Sequence, residues 1–372
     1  MDLLIHYILP FFGMLVGLIV IHELGHYVTA KMFGVKVLEA GIGYPPRAWG
    51  FTWKGTIYSV NWLPLGGFVR LLGEEDPADP ESLAAQAAWK RLIILGSGAF
   101  MNFVLPVVLF AIYFMLPHDV PRGPAIITTV ASGAPAAKAG LLQGDEILEI
   151  NGERIKNHED AGREIRLRMG ETITFTVQRT SFGETEVKTF DVKARWDPPE
   201  GQGPTGIQIR DRVGGSAICT SSNPPDQCWE RESYSFIGAF DKGWDATWDS
   251  LRLARNQVIA MFKGGEGPAV AGPTGIAQGT GEVIKSSGWD SLLQFAALLS
   301  INLAIINILP LPMLDGGRIA FVLVEVARRG RRISPEKEGL VHLVGLALII
   351  VMAVAVTYVD IVRIIGGKSI FS

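Results

Sequence analysis

Four stretches of this chain are too long and too poor in charge to fold in the ordinary way in water: Leu3 to Ile21, Leu92 to Leu116, Leu292 to Leu311 and Leu340 to Val362. Each approaches or exceeds the ~18–20 apolar residues that a helix needs to cross the core of a bilayer. Helices buried in a soluble core are seldom so long or so free of charge. Charged residues make up 19% of the chain, against roughly 25% in soluble proteins, and the deficit sits in these stretches. No Lys or Arg precedes Lys31 and no small-residue cleavage site follows the first run, so it reads as a retained span and not a secretion signal. The expectation is a multi-pass α-helical membrane protein with four transmembrane helices.

Lys and Arg set the orientation. Lys31, Lys36, Arg47, Lys54, Arg70, Lys90 and Arg91 lie between spans one and two; Arg318, Arg328, Arg329, Arg331, Arg332 and Lys337 lie between spans three and four. The positive-inside rule puts both segments in the cytoplasm, and therefore both termini and the long middle segment outside. A net charge of -3 gives no basic footprint, so nucleic acid is not an expected partner. Cys219 and Cys228 are the only cysteines, which excludes a thiol-based metal site and a disulfide framework. They fall in a Pro/Ser-rich stretch where a single disulfide is plausible.

The first span ends Val20-Ile21-His22-Glu23-Leu24-Gly25-His26. His22 and His26 are four apart, so on a helix both imidazoles leave one face and can share an ion. Glu23 stands beside them, where a carboxylate can take a proton from zinc-activated water. Ionisable groups at membrane depth are costly unless they serve a function. A catalytic zinc site takes three protein ligands and keeps one position open. Of the other histidines, His6 lies near the far end of span one, His118 and His158 fall in the middle segment, and His342 begins span four. Each reads as an interfacial or surface residue.

A carboxylate is the remaining option. Span three ends Asn307-Ile308-Leu309-Pro310-Leu311-Pro312-Met313-Leu314-Asp315-Gly316-Gly317. Asp315 follows two helix-breaking prolines and precedes two glycines that are expected to let the backbone turn; a capping or turn aspartate is the bland alternative. Spans one and three both run inward, so His22, His26 and Asp315 are expected at one depth.

With HELGH at 22–26 and NILPLPMLDGG at 307–317, the chain resembles the site-2 protease family of intramembrane zinc metalloproteases, of the bacterial regulator-of-sigma-E type. The resemblance covers nearly the whole chain. It implies zinc held by His22, His26 and Asp315, Glu23 as general base, and Asn307 helping to hold the substrate strand. It also implies cleavage of the transmembrane segment of single-span membrane proteins, such as anti-sigma factors or remnant signal peptides, at a bacterial inner membrane.

Between spans one and two, Val35 to Leu72 reads as short strands turning at Pro45-Pro46 and Pro64. The family resemblance makes this a cytoplasmic-side β-segment that dips into the membrane beside the zinc. Outside, Ala125 to about Arg210 resembles one α+β PDZ domain of bacterial proteases, carried by VASGAPAAKAGL at 130–141 and GDEILEING at 144–152. Its groove is expected either to take a peptide by strand addition or to act as a size filter. Trp244 to Phe262 puts Trp244, Trp248, Leu251, Val258, Ile259 and Phe262 opposite Asp249, Arg252, Asn256 and Lys263, as an interfacial helix does. Gly272-Pro273-Thr274-Gly275-Ile276 resembles a family motif whose only evident role is a tight turn.

The expected organisation is span one at 1–33, the β-segment at 34–91, span two at 92–116, a PDZ domain at 120–210 and a linker at 211–290. Span three with its LDG motif follows at 291–317, a cytoplasmic loop at 318–338 and span four at 339–365. Two rival readings are a membrane PDZ scaffold with a structural metal and a transporter with broken helices. Glu23 speaks against the first, since a structural zinc needs no base; the want of an internal repeat speaks against the second.

Overall fold

The computed structural model describes residues 2–74, 76–181, 183–213, 217–219, 228–265, 267, 271–367 and 369. A π-helical turn (Leu4–Ile8) leads into α1 (Leu9–Met32), then β1 (Val37–Trp53), β2 (Thr56–Leu71) and α2 (Ala88–Met115). Short elements follow: β3 (His118–Pro121), β4 (Ala125–Val130), α3 (Pro135–Ala139), β5 (Glu146–Ile150), β6 (Glu153–Arg154) and α4 (His158–Leu167). Next come β7 (Thr172–Ser181), β8 (Glu184–Lys193), β9 (Ile207–Val213), β10 (Ala217–Ile218) and β11 (Trp229–Glu232). The last described helices are α5 (Phe236–Phe262), α6 (Pro273–Ser287), α7 (Ser291–Ile308), α8 (Asp315–Ala327) and α9 (Pro335–Ile365). The chain divides into unit 1 (Met1–Tyr113, Ala239–Thr247, Val270–Ser372) and unit 2 (Phe114–Gly238, Trp248–Ala269).

Unit 1 holds four helices long and apolar enough to cross a membrane: Leu4–Met32, Ala88–Met115, Ser291–Ile308 and Glu336–Ile365. The third stops earlier than the sequence suggests. Pro310 and Pro312 lack an N–H and push the residues before them out of the helical region; Leu309 is already extended at φ -65°, ψ 144°. Asp315 therefore does not sit on the third span. It opens α8, a helix that runs through the first part of the segment expected to be a cytoplasmic loop. The glycines after it do not make the turn either. Met313 does, at φ 71°, whereas neither Gly316 nor Gly317 has a positive φ. Those glycines serve close packing: a Cβ on Gly316 would lie 2.5 Å from the Ile308 carbonyl oxygen, and one on Gly317 3.0 Å from the Leu311 carbonyl carbon.

Strands β1 and β2 form an antiparallel pair that folds back on itself. Residues 47–53 pair with 56–61, and residues 37–42 pair with 67–71 on one side while Glu39 to Ile42 also meet Ile57 to Val60. Partners change between Tyr44 and Arg47 and between Leu63 and Gly67, where the prolines stand. Buried Glu39 ties the layers together, accepting from Arg47 (2.6 Å) and Arg70 (3.3 Å). Val35, Val37, Leu71 and Leu83 pack this segment against Ala30 of α1, Ile94 and Leu95 of α2 and Val322 of α8. Arg91 reaches Glu325 of α8 at 2.6 Å.

The Gly-Pro motif has a partner the sequence did not suggest. Asp360 of α9, fully buried, accepts from the N–H groups of Gly272 (2.9 Å) and Gly275 (2.8 Å). A carboxylate from one helix thus caps the N-terminus of α6, where unpaired N–H groups and the helix dipole favour negative charge.

Unit 2 is built on a sheet of order β10-β9-β4-β5-β7-β8, with β6 paired to β5. Alternation in β7 buries Ile173, Phe175 and Val177, and Ile173 stands opposite Val192 of β8. Asn151 (φ 50°) and Gly152 (φ 82°) make the left-handed turn between β5 and β6. Asn157 caps α4 by accepting from the Asp160 N–H. Cys219 and Cys228 are joined by a disulfide; residues 220–227 of their Pro/Ser-rich stretch lie outside the described residues. Helix α5 begins eight residues before Trp244 and contributes to both units. Its Asn256 is not on a solvated face as expected. It is 2% exposed and donates to the Arg166 and Leu167 carbonyls, closing the C-terminus of α4.

Candidate metal centre

Helix α1 presents His22 and His26 one turn apart, both buried, with ring centroids 4.9 Å apart. Two glycines let α2 come close enough to enclose them. A Cβ on Gly25 would lie 2.5 Å from the Ser97 carbonyl oxygen, and a Cβ on Gly98 would lie 2.6 Å from both Cε1 and Nε2 of His22. The space beside the imidazoles exists because position 98 carries no side chain.

The outer nitrogens are fixed by helix α2. His26 Nδ1 lies 2.8 Å from the Ile94 carbonyl oxygen, which can only accept. The proton therefore sits on Nδ1 and the Nε2 lone pair points inward. The amide of Asn102 lies 3.2 Å from His22 Nδ1, and its Oδ1 is buried without a hydrogen-bond partner. Amide orientations are set by the hydrogen-bond network: if His22 offers Nε2 as a ligand, Nδ1 carries the proton and Asn102 turns its oxygen to it. Asn102 is itself held by Ser300 of α7, whose hydroxyl donates to the Asn102 carbonyl at 2.8 Å.

Asp315 completes the group. Its Oδ2 stands 3.0 Å from His22 Nε2 and 3.2 Å from His26 Nε2, and the two Nε2 atoms are 3.2 Å apart. Three donors around a tetrahedral ion with bonds of ~2.0–2.1 Å stand about 3.3 Å from one another, so the triangle is nearly of that size. Asp315 Oδ2 is buried with no hydrogen-bond partner. Two imidazole lone pairs and a carboxylate oxygen turned on one point repel each other unless a cation lies among them. Among the described residues, His22, His26 and Asp315 are the one such metal-capable group. The residues present fit zinc.

Glu23 is not in that triangle but interacts electrostatically with all three of its members. Val69 of β2 lies near its carboxylate, and a Cβ on Gly67 would touch its Cγ at 3.7 Å. The strand segment from Gly67 to Val69 thus runs past the glutamate. Asn307 of α7 is buried, with Nδ2 3.5 Å from His22 Nδ1.

Sequence reasoning missed Gly98, Asn102 and Ser300. A polar Asn and Ser inside otherwise apolar spans are a signal of inward-facing function, though which histidine they serve is set by helix packing. Two of the remaining histidines are not the interfacial or surface groups expected. His118 is 4% and His342 8% exposed. His342 accepts from the Met313 N–H, two residues before Asp315.

Two imidazoles and one carboxylate converging beside a second carboxylate, in a bundle of membrane-length helices, define a metal-dependent hydrolase of the membrane. Comparison with known proteins supplies the family. The profile of peptidase family M50 matches residues 10–352, and the chain belongs to that family. It is 32% identical over 352 residues to a protein of Clostridium perfringens named provisionally as a zinc metalloprotease, covering 93% of this chain and 96% of the relative. A provisionally named zinc metalloprotease of Agrobacterium fabrum is 29% identical, with 97% of both chains covered. The zinc metalloprotease RasP of Geobacillus kaustophilus is 28% identical over 435 aligned positions, covering 95% of this chain and 97% of that one. The chain is a zinc metalloendopeptidase, and a membrane protein.

Proposed function

We propose that this enzyme cleaves inside the membrane, hydrolysing the transmembrane segment of single-span membrane proteins such as anti-sigma factors or remnant signal peptides. One observation carries the reading: His22 and His26, whose Nε2 atoms meet Asp315 Oδ2, lie within the membrane-length helix Leu4–Met32. A hydrolytic centre at that depth has no use for a soluble peptide.

In this reading His22, His26 and Asp315 hold the zinc. When bound, zinc supplies a Lewis acid that polarises a carbonyl and acidifies water. Glu23 takes the proton from the attacking water and returns it to the leaving amine. Asn102 and the Ile94 carbonyl keep the imidazoles in the tautomer that offers Nε2. A membrane helix hides its peptide groups in its own hydrogen bonds, so the substrate must unwind before a carbonyl is accessible. The freed groups find partners by strand addition along residues 67–69, which pass Glu23, and at the Asn307 amide.

Unit 2 serves as a PDZ domain outside the inner membrane, with the basic segments in the cytoplasm. Within unit 2, His158 at the start of α4 is bonded through its ring and backbone to Asp211 of β9. The domain's groove either takes a peptide or restricts which substrates approach. The test is Glu23→Gln in the full chain: cleavage of a single-span substrate should vanish while about one zinc per chain remains. Loss of zinc with activity surviving after metal reconstitution would overturn the assignment of Glu23.

A further inference from the structure

Asp315 is brought to the imidazoles by a backbone turn, residues 311–314, closed by one long hydrogen bond of its own, from the Leu314 N–H to the Leu311 carbonyl at 3.3 Å. Met313 has φ 71°, a left-handed conformation that side-chain-bearing residues avoid. Its N–H finds its acceptor on another helix, the Nδ1 of His342 at 2.9 Å. His342 lies in the second turn of α9, its ring 5.5 Å from that of Phe321 on α8. One turn further, Gly345 lies against Pro312: a Cβ there would come 3.0 Å from Pro312 Cγ and 3.2 Å from its carbonyl carbon. Helix α9 thus grips residues 312 and 313 at two consecutive turns.

The residues on either side have little freedom. Gly316 and Gly317 are pressed against the carbonyls of Ile308, Leu309 and Leu311. The N–H groups of Gly317 and Arg318 already bond the Leu314 carbonyl, at 3.0 and 3.4 Å. A change in the direction of the first turn of α8, and of Asp315 with it, is taken up at Met313 and at Leu314, the extended residue that precedes the helix.

We propose that His342 is a positioning residue for Asp315: by accepting the Met313 N–H it locks the left-handed turn that aims the carboxylate at His22 and His26. The inference rests on Asp315 being a zinc ligand. It requires the neutral tautomer with the proton on Nε2, which faces Glu338 Oε1 at 4.0 Å. What matters at position 342 is an acceptor at the place of Nδ1, and neither charge nor bulk replaces it.

Three variants of the full chain in lipid nanodiscs separate these roles. His342→Asn puts an amide oxygen near the place of Nδ1, His342→Gln carries its amide one carbon further, and His342→Leu removes the acceptor. Zinc affinity is read by chelator competition and ligand geometry by the visible spectrum of the cobalt-substituted protein. His342→Leu and His342→Gln should weaken zinc binding by ~10–100-fold, the usual effect of losing a group behind a ligand, and alter the cobalt bands. His342→Asn should keep both near wild type. If His342→Leu fails to accumulate, the contrast between Asn and Gln decides alone. Wild-type affinity and spectrum in His342→Gln, or an equal loss in His342→Asn, overturns the proposal. Asp315→Ala is measured alongside: if it keeps zinc and spectrum, the ligand reading itself is wrong, whereas loss there with silent His342 variants sinks only the positioning role.

Discussion

Unit 2 buries Ile127, Leu141, Ile147, Ile150, Ile173, Phe175, Val177 and Val192 almost completely, as a domain folded in water does. Unit 1 hides a different set. Asn102, Thr280, Ser300 and Asp360 are fully buried and His22, His26 and Asn307 nearly so, while Leu343, Leu348, Val351 and Val354 of α9 stand more than 60% exposed. The difference reflects the solvent each unit is built for. Lipid gives apolar side chains no reason to turn inward, and it penalises any polar group that does not find a partner inside. Helices there associate through close contact at small residues, which is what Gly25, Gly98, Gly243 and Gly345 provide. His22, His26 and Asp315 belong to unit 1, which also buries Asn102, Ser300 and Asp360 among its helices.

The contrast between the two interiors is most exposed to failure at position 98. Gly98→Leu places a side chain where both imidazoles lie, so zinc affinity should fall by ~100-fold or more, at least the upper end of what losing a supporting group costs. Zinc content of the purified variant measures this, and a normal content would mean that close helix approach is not what shapes the site. A cut in the other core should have the opposite pattern. Phe175→Ala should destabilise unit 2 by about 3–5 kcal/mol, as aromatic truncations in closed cores do. Zinc content should stay unchanged. Release of zinc on this substitution would show that the two cores are not separate.

A smaller effect is expected within unit 2. The Asp211 carboxylate, which bonds the His158 ring, raises the imidazole pKa above its ordinary value, with partial burial opposing it. A raised folded pKa means the protonated form is preferred on folding. The stabilisation of the α4–β9 junction is therefore complete below about pH 6.5 and is lost as pH rises through the raised value. Hydrogen exchange at the His158 N–H, which donates to Asp211 Oδ1 at 2.6 Å, should lose protection over that rise, corrected for intrinsic base catalysis. The same profile in His158→Gln would remove the histidine from the account.

The spans and the paired histidines were legible because charge depletion and a four-residue spacing are local signals. Asp315 was legible as a residue but not as the first residue of a new helix. Two prolines announce a break without specifying the element beyond it, and the turn fell to Met313, not to a glycine. Asn102, Gly98 and Ser300 could not be read as part of the site, since only the packing of α1, α2 and α7 brings them to His22. The same holds for the cap on α6: Gly272 and Asp360 are 88 residues apart, and nothing along the chain couples them. A single histidine at the start of a span looks interfacial until the loop it grips is seen beside it.

X-ray absorption at the zinc edge, on the full chain in nanodiscs, bears most directly on a zinc centre built by His22, His26 and Asp315. Two imidazoles with oxygen donors at ~2.0–2.1 Å and no sulfur are expected, unchanged in Glu23→Gln and short of a carboxylate in Asp315→Ala. A third imidazole, a sulfur neighbour, or the same shell after Asp315→Ala would contradict it.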